Sequence, residues 1–383
     1  MRTDFDFDEV IDRRSTSSFK WDKYAGKDIL PLWVADMDFR SPPAVIEALK
    51  QRSDHGVFGY THPPPQLTRQ IQGMLANRYG WSVEKSSIVW LPGLVTGLNV
   101  ACRSVGEGGD EVMTATPVYP PFLTAPGFSD RKLVKVPLAK NGDRWEFDFE
   151  RLKSAFTDRT GLFILCNPHN PVGRIFTRRE LARLAALCAR HDVIICSDEI
   201  HCDLILDERK QHTPTAALGP EIADRTITLM APSKTYNLPG LGCSFAVITN
   251  RRIRQRFKKN MAGIVPHVNI LGLFAASAAY RHGQDWLTAL LDYLRGNRDR
   301  IMEEIERMPL VSTTPVEATY LAWIDCRRMK DKDPTRFFEQ AGVGLSDGRE
   351  FGGKGFVRLN FGCPRSTLDE ALRRMKTALE RLA

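Results

Sequence analysis

The 383-residue sequence has no CxxC pair, no internal repeat and no low-complexity segment. It also has no apolar run approaching the roughly 18 residues that mark a membrane-spanning helix, so no membrane role is expected. Its eight cysteines, at 102, 166, 188, 196, 202, 243, 326 and 363, are spread far more thinly than in disulfide-framed secreted domains. Several sit inside apolar runs such as Leu162-Phe163-Ile164-Leu165-Cys166, and reduced, mostly buried thiols are expected. The opening Met1-Arg2-Thr3-Asp4-Phe5-Asp6-Phe7-Asp8 is acidic and lacks an apolar h-region; no signal peptide is expected, and the expected location is cytoplasmic. Zinc-finger spacing, a basic groove interleaved with aromatics and a long basic tail are all absent, which leaves metal and nucleic-acid roles without support.

What is present is an ordinary globular composition, 43% hydrophobic and 26% charged, on a chain long enough for more than one domain. The excess of 54 basic over 46 acidic residues lies partly in Arg251-Arg252-Ile253-Arg254 and Arg256-Phe257-Lys258-Lys259. These read as solvated helix faces, with a weak anion-attracting surface as the other reading. From about residue 66 to 250 short apolar runs alternate with helical periodicity. Strands are predicted at 87–91, 111–115, 161–166, 193–197 and 226–230, with a clear helix over 178–191. Strands that are apolar throughout and separated by helices predict an α/β fold with a mainly parallel sheet covered on both faces. A helix is predicted from Pro42 or Pro43 with Ser41 as its cap and Val45, Ile46 and Leu49 inward, and another near 66–79. Residues 270–308 predict at least two helical segments divided near Gly283; 318–325 and 355–361 predict strands, and 366–382 a closing helix.

Three places could carry chemistry. Met230-Ala231-Pro232-Ser233-Lys234-Thr235-Tyr236-Asn237 ends an apolar strand and puts a lysine in a small-residue loop. That suits a surface turn, and it also suits an amine held in the crevice beyond an α/β sheet for Schiff-base chemistry. In Ile194-Ile195-Cys196-Ser197-Asp198-Glu199-Ile200-His201 an acidic pair ends a buried strand, where Asp198 is a helix cap, an exposed loop residue or a buried carboxylate with a cationic partner. Leu91-Pro92-Gly93-Leu94-Val95-Thr96-Gly97 reads as strand, glycine turn and helix start, a geometry that offers free N–H groups to an anion. It matches neither a Walker loop nor GxGxxG.

These segments, in this order, resemble those of the fold-type I pyridoxal 5′-phosphate (PLP) enzymes, the aspartate aminotransferase superfamily. The resemblance extends through Trp33-Val34-Ala35-Asp36-Met37-Asp38-Phe39, Gly56-Val57-Phe58-Gly59-Tyr60, Thr116-Pro117-Val118-Tyr119, Asn167-Pro168-His169-Asn170-Pro171-Val172-Gly173, Ser233-Lys234, Gly355-Phe356-Val357-Arg358-Leu359-Asn360 and Gly362-Cys363-Pro364-Arg365. The first of these and Ser197-Asp198-Glu199-Ile200-His201 are similar to the branch of cystathionine β-lyases and C–S lyases related to MalY and PatB.

The resemblance implies a large domain over residues 42–275, with a mainly parallel seven-stranded-type sheet, and a smaller α+β domain built from residues 1–41 and 276–383. It implies PLP as cofactor, linked to Lys234, which also acts as base at Cα. Asp198 is then the partner of the pyridine nitrogen, Asn170 of the ring hydroxyl, and Tyr119 stacks on the ring, although its Pro-Val-Tyr-Pro-Pro loop also needs apolar filling. Val95 and Thr96, with Ser233, supply donors to the phosphate, and His201 is either a cofactor contact or a structural one. Arg358 binds the substrate carboxylate, with Ala35 on the substrate side. Tyr60 is donated across a homodimer boundary to the neighbouring site, where it contacts cofactor phosphate or substrate and is one candidate, beside Lys234, to protonate a leaving thiolate. Two positions depart from the aminotransferase pattern. Ala231 stands where Ser or Gly precedes the lysine by three, and Gly242 stands where an arginine follows it by eight. The implied activity is α,β-elimination from L-cystathionine or a related cysteine S-conjugate. An aminotransferase, and a lyase with an added role of binding a transcription regulator, are the alternatives.

Overall fold

The computed structural model describes residues 5–330 and 332–382, so the first half of the acidic opening run lies outside the described residues. Seven strands make the central sheet: β1 (Ile88–Leu91), β2 (Glu111–Thr116), β3 (Lys132–Pro137), β4 (Thr160–Cys166), β5 (Ile194–Asp198), β6 (Thr226–Met230) and β7 (Ser244–Val247). Their spatial order is β1-β7-β6-β5-β4-β2-β3, and β7 alone runs against its neighbours. This is the α/β, mainly parallel architecture expected from the sequence, and the five apolar runs read there are β1, β2, β4, β5 and β6. The central strands are mainly apolar because both faces are covered: every residue of β6 is buried, as is Leu162–Cys166 of β4.

On one face lies the helix Arg178–Arg190, started by a capping box between Thr177 and Glu180 and burying Leu181, Leu184 and Cys188. On the other lies Leu94–Ser104, whose Leu94, Leu98 and Ala101 pack with Leu91, Ile164 and Leu229. Gly97 seats that helix: a Cβ there would stand 3.0 Å from the side chains of Leu91 and Leu229. Gly283 divides Ile270–His282 from Gln284–Glu306, as expected from the length of the helical stretch and its glycine.

Beside this body, Ser312–Thr313, Leu321–Asp325, Phe356–Asn360 and Ser346–Asp347 form a small antiparallel sheet in that order, backed by the helix Arg365–Glu380. The N-terminal segment joins it, with Leu30–Pro31 pairing parallel with Val343–Gly344. All eight cysteines are buried and unbridged. Among the described residues, no helix is long and apolar enough to cross a membrane.

Two expectations are corrected. Ser41 does not cap the helix Pro43–His55: the cap position is Pro42, and the Ser41 hydroxyl donates to Asn237 O at 3.0 Å. The strand expected from 318 begins only at Leu321, because the N–H groups of Glu317 and Ala318 go to Gly173 O, each at 2.9 Å, and that of Thr319 to Leu204 O at 2.8 Å.

Candidate active site

The carboxyl ends of the parallel strands open on a cavity of about 310 Å³. On its wall stand Lys234, Asp198, Asn170, Tyr119, His201, Ser233, Val95, Ala35 and Arg358. Of the residues singled out in the sequence, Thr96 and Tyr60 are not on this wall. Thr96 is half-buried one position further along the helix, whereas Gly93, the cap residue, does line the cavity. Tyr60 is fully exposed, beside Phe58 and His62 on an outer apolar surface.

Asp198 closes β5, between Cys166 of β4 and Leu229 of β6. Its Oδ1 accepts the Ile200 N–H at 3.1 Å. Burial pushes the carboxyl up to about 7, while the Ile200 N–H and Lys234 pull it down. Lys234 follows β6 in a turn closed by Tyr236 N–H to Pro232 O (2.9 Å) and Leu238 N–H to Ser233 O (2.8 Å). Its ammonium donates to Ala35 O. Burial brings Lys234 down to about 8, against the opposing charges of Asp36 and Asp198.

Arg358 projects from the small sheet, 4% exposed, and makes no ion pair among the described residues. Nη1 donates to Asn170 Oδ1 at 3.0 Å; Nη2 donates to Trp33 O at 2.8 Å and Ser346 Oγ at 3.2 Å; the guanidinium lies 4.6 Å from the Phe351 ring. Burial lowers it to about 10. A guanidinium held out of water by neutral acceptors alone is costly, and its fork suits a carboxylate that brings the missing charge. The Tyr119 N–H donates to Asn170 O at 3.1 Å, which couples those two loops. His201 is buried, 6.1 Å from the Tyr320 ring, with Nδ1 unpartnered; burial pushes it down to about 3, so the imidazole is neutral.

The helix Leu94–Ser104 starts at Gly93 without a side-chain cap, leaving first-turn N–H groups for an anion. Gly242, also on the wall, has φ 58, and a Cβ there would stand 2.9 Å from Pro92 O. The backbone therefore leaves no room for the arginine that aminotransferases place at this position. An anion here would depend on the helix start and Ser233.

These donors fit PLP. Lys234 could take its aldehyde, Asp198 its ring nitrogen, the Gly93–Val95 turn its phosphate, and the orphaned His201 nitrogen and Asn170 its ring hydroxyl. A pH dependence follows for loading the apoprotein. The neutral amine is the nucleophile, and half of Lys234 is neutral at about pH 8. The rate of covalent PLP capture, followed by the visible band, should rise up to about pH 8 and level off above it. A rate still climbing tenfold per pH unit at pH 9.5 would mean an ordinary lysine, whose reference value is about 10.4.

Sequence reasoning missed several groups that set this geometry. Tyr320 Oη donates to Ala35 O at 2.9 Å. Ser346 is the cross-strand partner of Arg358. Behind Asp198, buried Glu199 accepts from the Ser197 hydroxyl (2.8 Å) and the Thr215 N–H (3.0 Å), with His212 Nε2 at 2.8 Å. Glu199 and His212 were visible as residue types, but only the fold puts them in contact.

The sequence pattern of the aminotransferase class I and II family matches residues 27–375. The cystathionine β-lyase PatB of Bacillus subtilis is 40% identical, over 97% of this chain and 99% of its own. Among solved structures, that of OvoB superposes with a TM-score of 0.96 at 47% identity, covering 98% of this chain and 99% of its own. The crystal structure of cystalysin from Treponema denticola, which contains PLP, gives 0.95 at 33% identity, covering 99% of this chain and all of its own. With a matched family pattern spanning nearly the whole length and a full-length relative at this identity, the chain belongs to the aminotransferase class I and II family, in its branch of MalY/PatB-like cystathionine β-lyases.

Proposed function

We propose that this protein is a PLP-dependent carbon–sulfur β-lyase that converts a cysteine S-conjugate and water into a thiol, pyruvate and ammonia, with L-cystathionine as the first candidate substrate. The observation that carries the reading is the convergence of Lys234, Asp198 and the uncompensated guanidinium of Arg358 on one cavity. The geometry at Gly242, together with membership of the lyase branch, favours elimination over amino transfer.

When bound, PLP supplies the electron sink for the pair left as the Cα–H bond breaks. The chain's own residues do the rest. Arg358 grips the α-carboxylate and so orients the Cα–H bond, and Asn170, accepting from Nη1, holds the guanidinium in place. Lys234 takes the Cα proton; with its value lowered to about 8, it is a competent base near neutral pH. Asp198 balances the ring nitrogen's charge from a buried position, and the neutral His201 adds no competing positive charge beside it. The proton for the departing thiolate at Cβ comes from Lys234 or from Tyr60 of a second copy of the chain. Full exposure of Tyr60 in one chain, beside exposed Val57 and Phe58, supports a homodimer in which this segment is covered and completes the neighbour's site. We also propose that residues 1–41 and 276–383 act as one small domain against 42–275, a division supported by the pairing of Leu30–Pro31 with Val343–Gly344.

The test is stoichiometric. With L-cystathionine or S-methyl-L-cysteine and no added keto acid, thiol and pyruvate should accumulate one for one through many turnovers. Turnover that stops after one equivalent per site and resumes only with a keto acid would identify an aminotransferase instead.

A further inference from the structure

The segment Trp33–Asp38 is held carbonyl by carbonyl, in alternation. Trp33 O accepts from Arg358 Nη2 at 2.8 Å and from Ser346 Oγ at 2.6 Å. Ala35 O accepts from Lys234 Nζ and from Tyr320 Oη. Val34 O and Asp36 O, on the other side, both accept from Asn360 Nδ2, at 2.6 and 2.7 Å. The segment bends at Val34 and Ala35, where the Asp36 N–H donates to Val34 O at 3.0 Å, and its carbonyls alternate by the partners they meet, so a slip of one residue would take both carbonyls away from the two cations of the cavity.

Just past these carbonyls lies a cluster of charges that the catalytic account leaves unused. Arg13 bridges Asp36 (2.8 Å) and Asp38 (2.6 Å). Lys20, with 0% exposure, meets Asp38 at 2.6 Å and donates to Asp36 O at 3.2 Å, while Trp21 Nε1 donates to Asp38 at 2.9 Å. Buried ion pairs are poor sources of stability compared with apolar packing of the same volume, and their best-attested use is to specify register. We propose that the Arg13–Lys20–Asp36–Asp38 cluster is a register lock on the Trp33–Asp38 strap, and that its four members are positioning residues for Arg358 and Lys234. The proposal rests on the reading of Arg358 as the carboxylate-binding residue.

The test uses the holoenzyme and L-alanine, an amino acid without a leaving group, whose binding is read from the change in the cofactor's visible band. Arg13→Gln should weaken L-alanine on the order of tenfold, the scale of a lost charge-assisted contact, with PLP affinity kept within about twofold. Ser346→Ala, which removes both a direct acceptor of Arg358 and a donor to the Trp33 carbonyl, should weaken it at least as much, and the double variant should fall short of the product of the two effects, because part of each acts through that carbonyl. If Arg13→Gln fails to fold, Asp36→Asn, at a half-buried position, carries the same expectation for L-alanine, together with an earlier rise with pH in the rate of PLP capture, because the Asp36 charge also bears on Lys234. Wild-type L-alanine affinity in the cluster variants, whatever their melting temperature, would overturn the proposal, and so would loss of PLP in step with loss of L-alanine. If instead Arg358→Ala leaves L-alanine binding unchanged, the Arg358 reading itself fails, a result distinct from either.

Discussion

Lys234→Ala is expected to lose on the order of 10⁴-fold in kcat on a cysteine S-conjugate, because one substitution removes both the covalent anchor and the base at Cα. The loss should not be a folding defect. Ala35 O keeps its donor from Tyr320, so no buried carbonyl is left bare, and the substitution removes an amine whose burial already opposes its charge. PLP should still bind, more loosely, through Asp198, Asn170 and the helix start at Gly93. Equilibrium dialysis of PLP beside steady-state kinetics checks both parts. Turnover within tenfold of the unmodified protein would contradict the assignment.

Arg358→Ala is expected to raise KM for the amino acid by roughly 10²-fold, the scale of removing one side of a buried charge-assisted pair. The cofactor should stay bound, since none of the groups assigned to it depends on Arg358 for its own placement except Asn170, whose Oδ1 loses a donor. The melting temperature should change little, because only Asn170 Oδ1 loses its donor, Trp33 O keeps the Ser346 hydroxyl, and a buried guanidinium without an opposing charge is removed. Arg358→Lys should rescue little, because an ammonium cannot reproduce the fork that reaches Asn170 and Trp33 at once. Loss of PLP with an unchanged KM would show that Arg358 had been misplaced.

The sequence was most legible where burial was complete. β4, β5 and β6 are buried and mainly apolar because helices cover both faces, and their run lengths alone place them to within a residue. β3 was not legible: it is an edge strand whose Lys132, Lys135 and Pro137 are exposed, so its pattern reads as loop. β7 was missed for another reason, being four residues long directly after the Gly240–Gly242 turn. Lys234 and Asp198 stood out because they are polar groups at the ends of apolar runs, whereas Arg358, in the middle of Phe356–Asn360, was found only through the family resemblance. Lys20, Ser346 and Tyr320 carry no such mark. Lys20 lies in a stretch without periodicity, and its partner Asp38 is 18 residues away; Ser346 meets Arg358 only through strand register. Ser41 misled because a serine before prolines has the look of a cap, while its hydroxyl was needed by the Lys234 turn at Asn237.

The central claim is that the cofactor is carried on Lys234, and reduction followed by mapping tests it most directly. The holoenzyme is treated with borohydride, digested, and the pyridoxyl-bearing peptide sequenced. The account predicts a single modified residue, Lys234, within Ala231-Pro232-Ser233-Lys234-Thr235-Tyr236. A pyridoxyl group on any other lysine would contradict it, and with it every role built around that cavity.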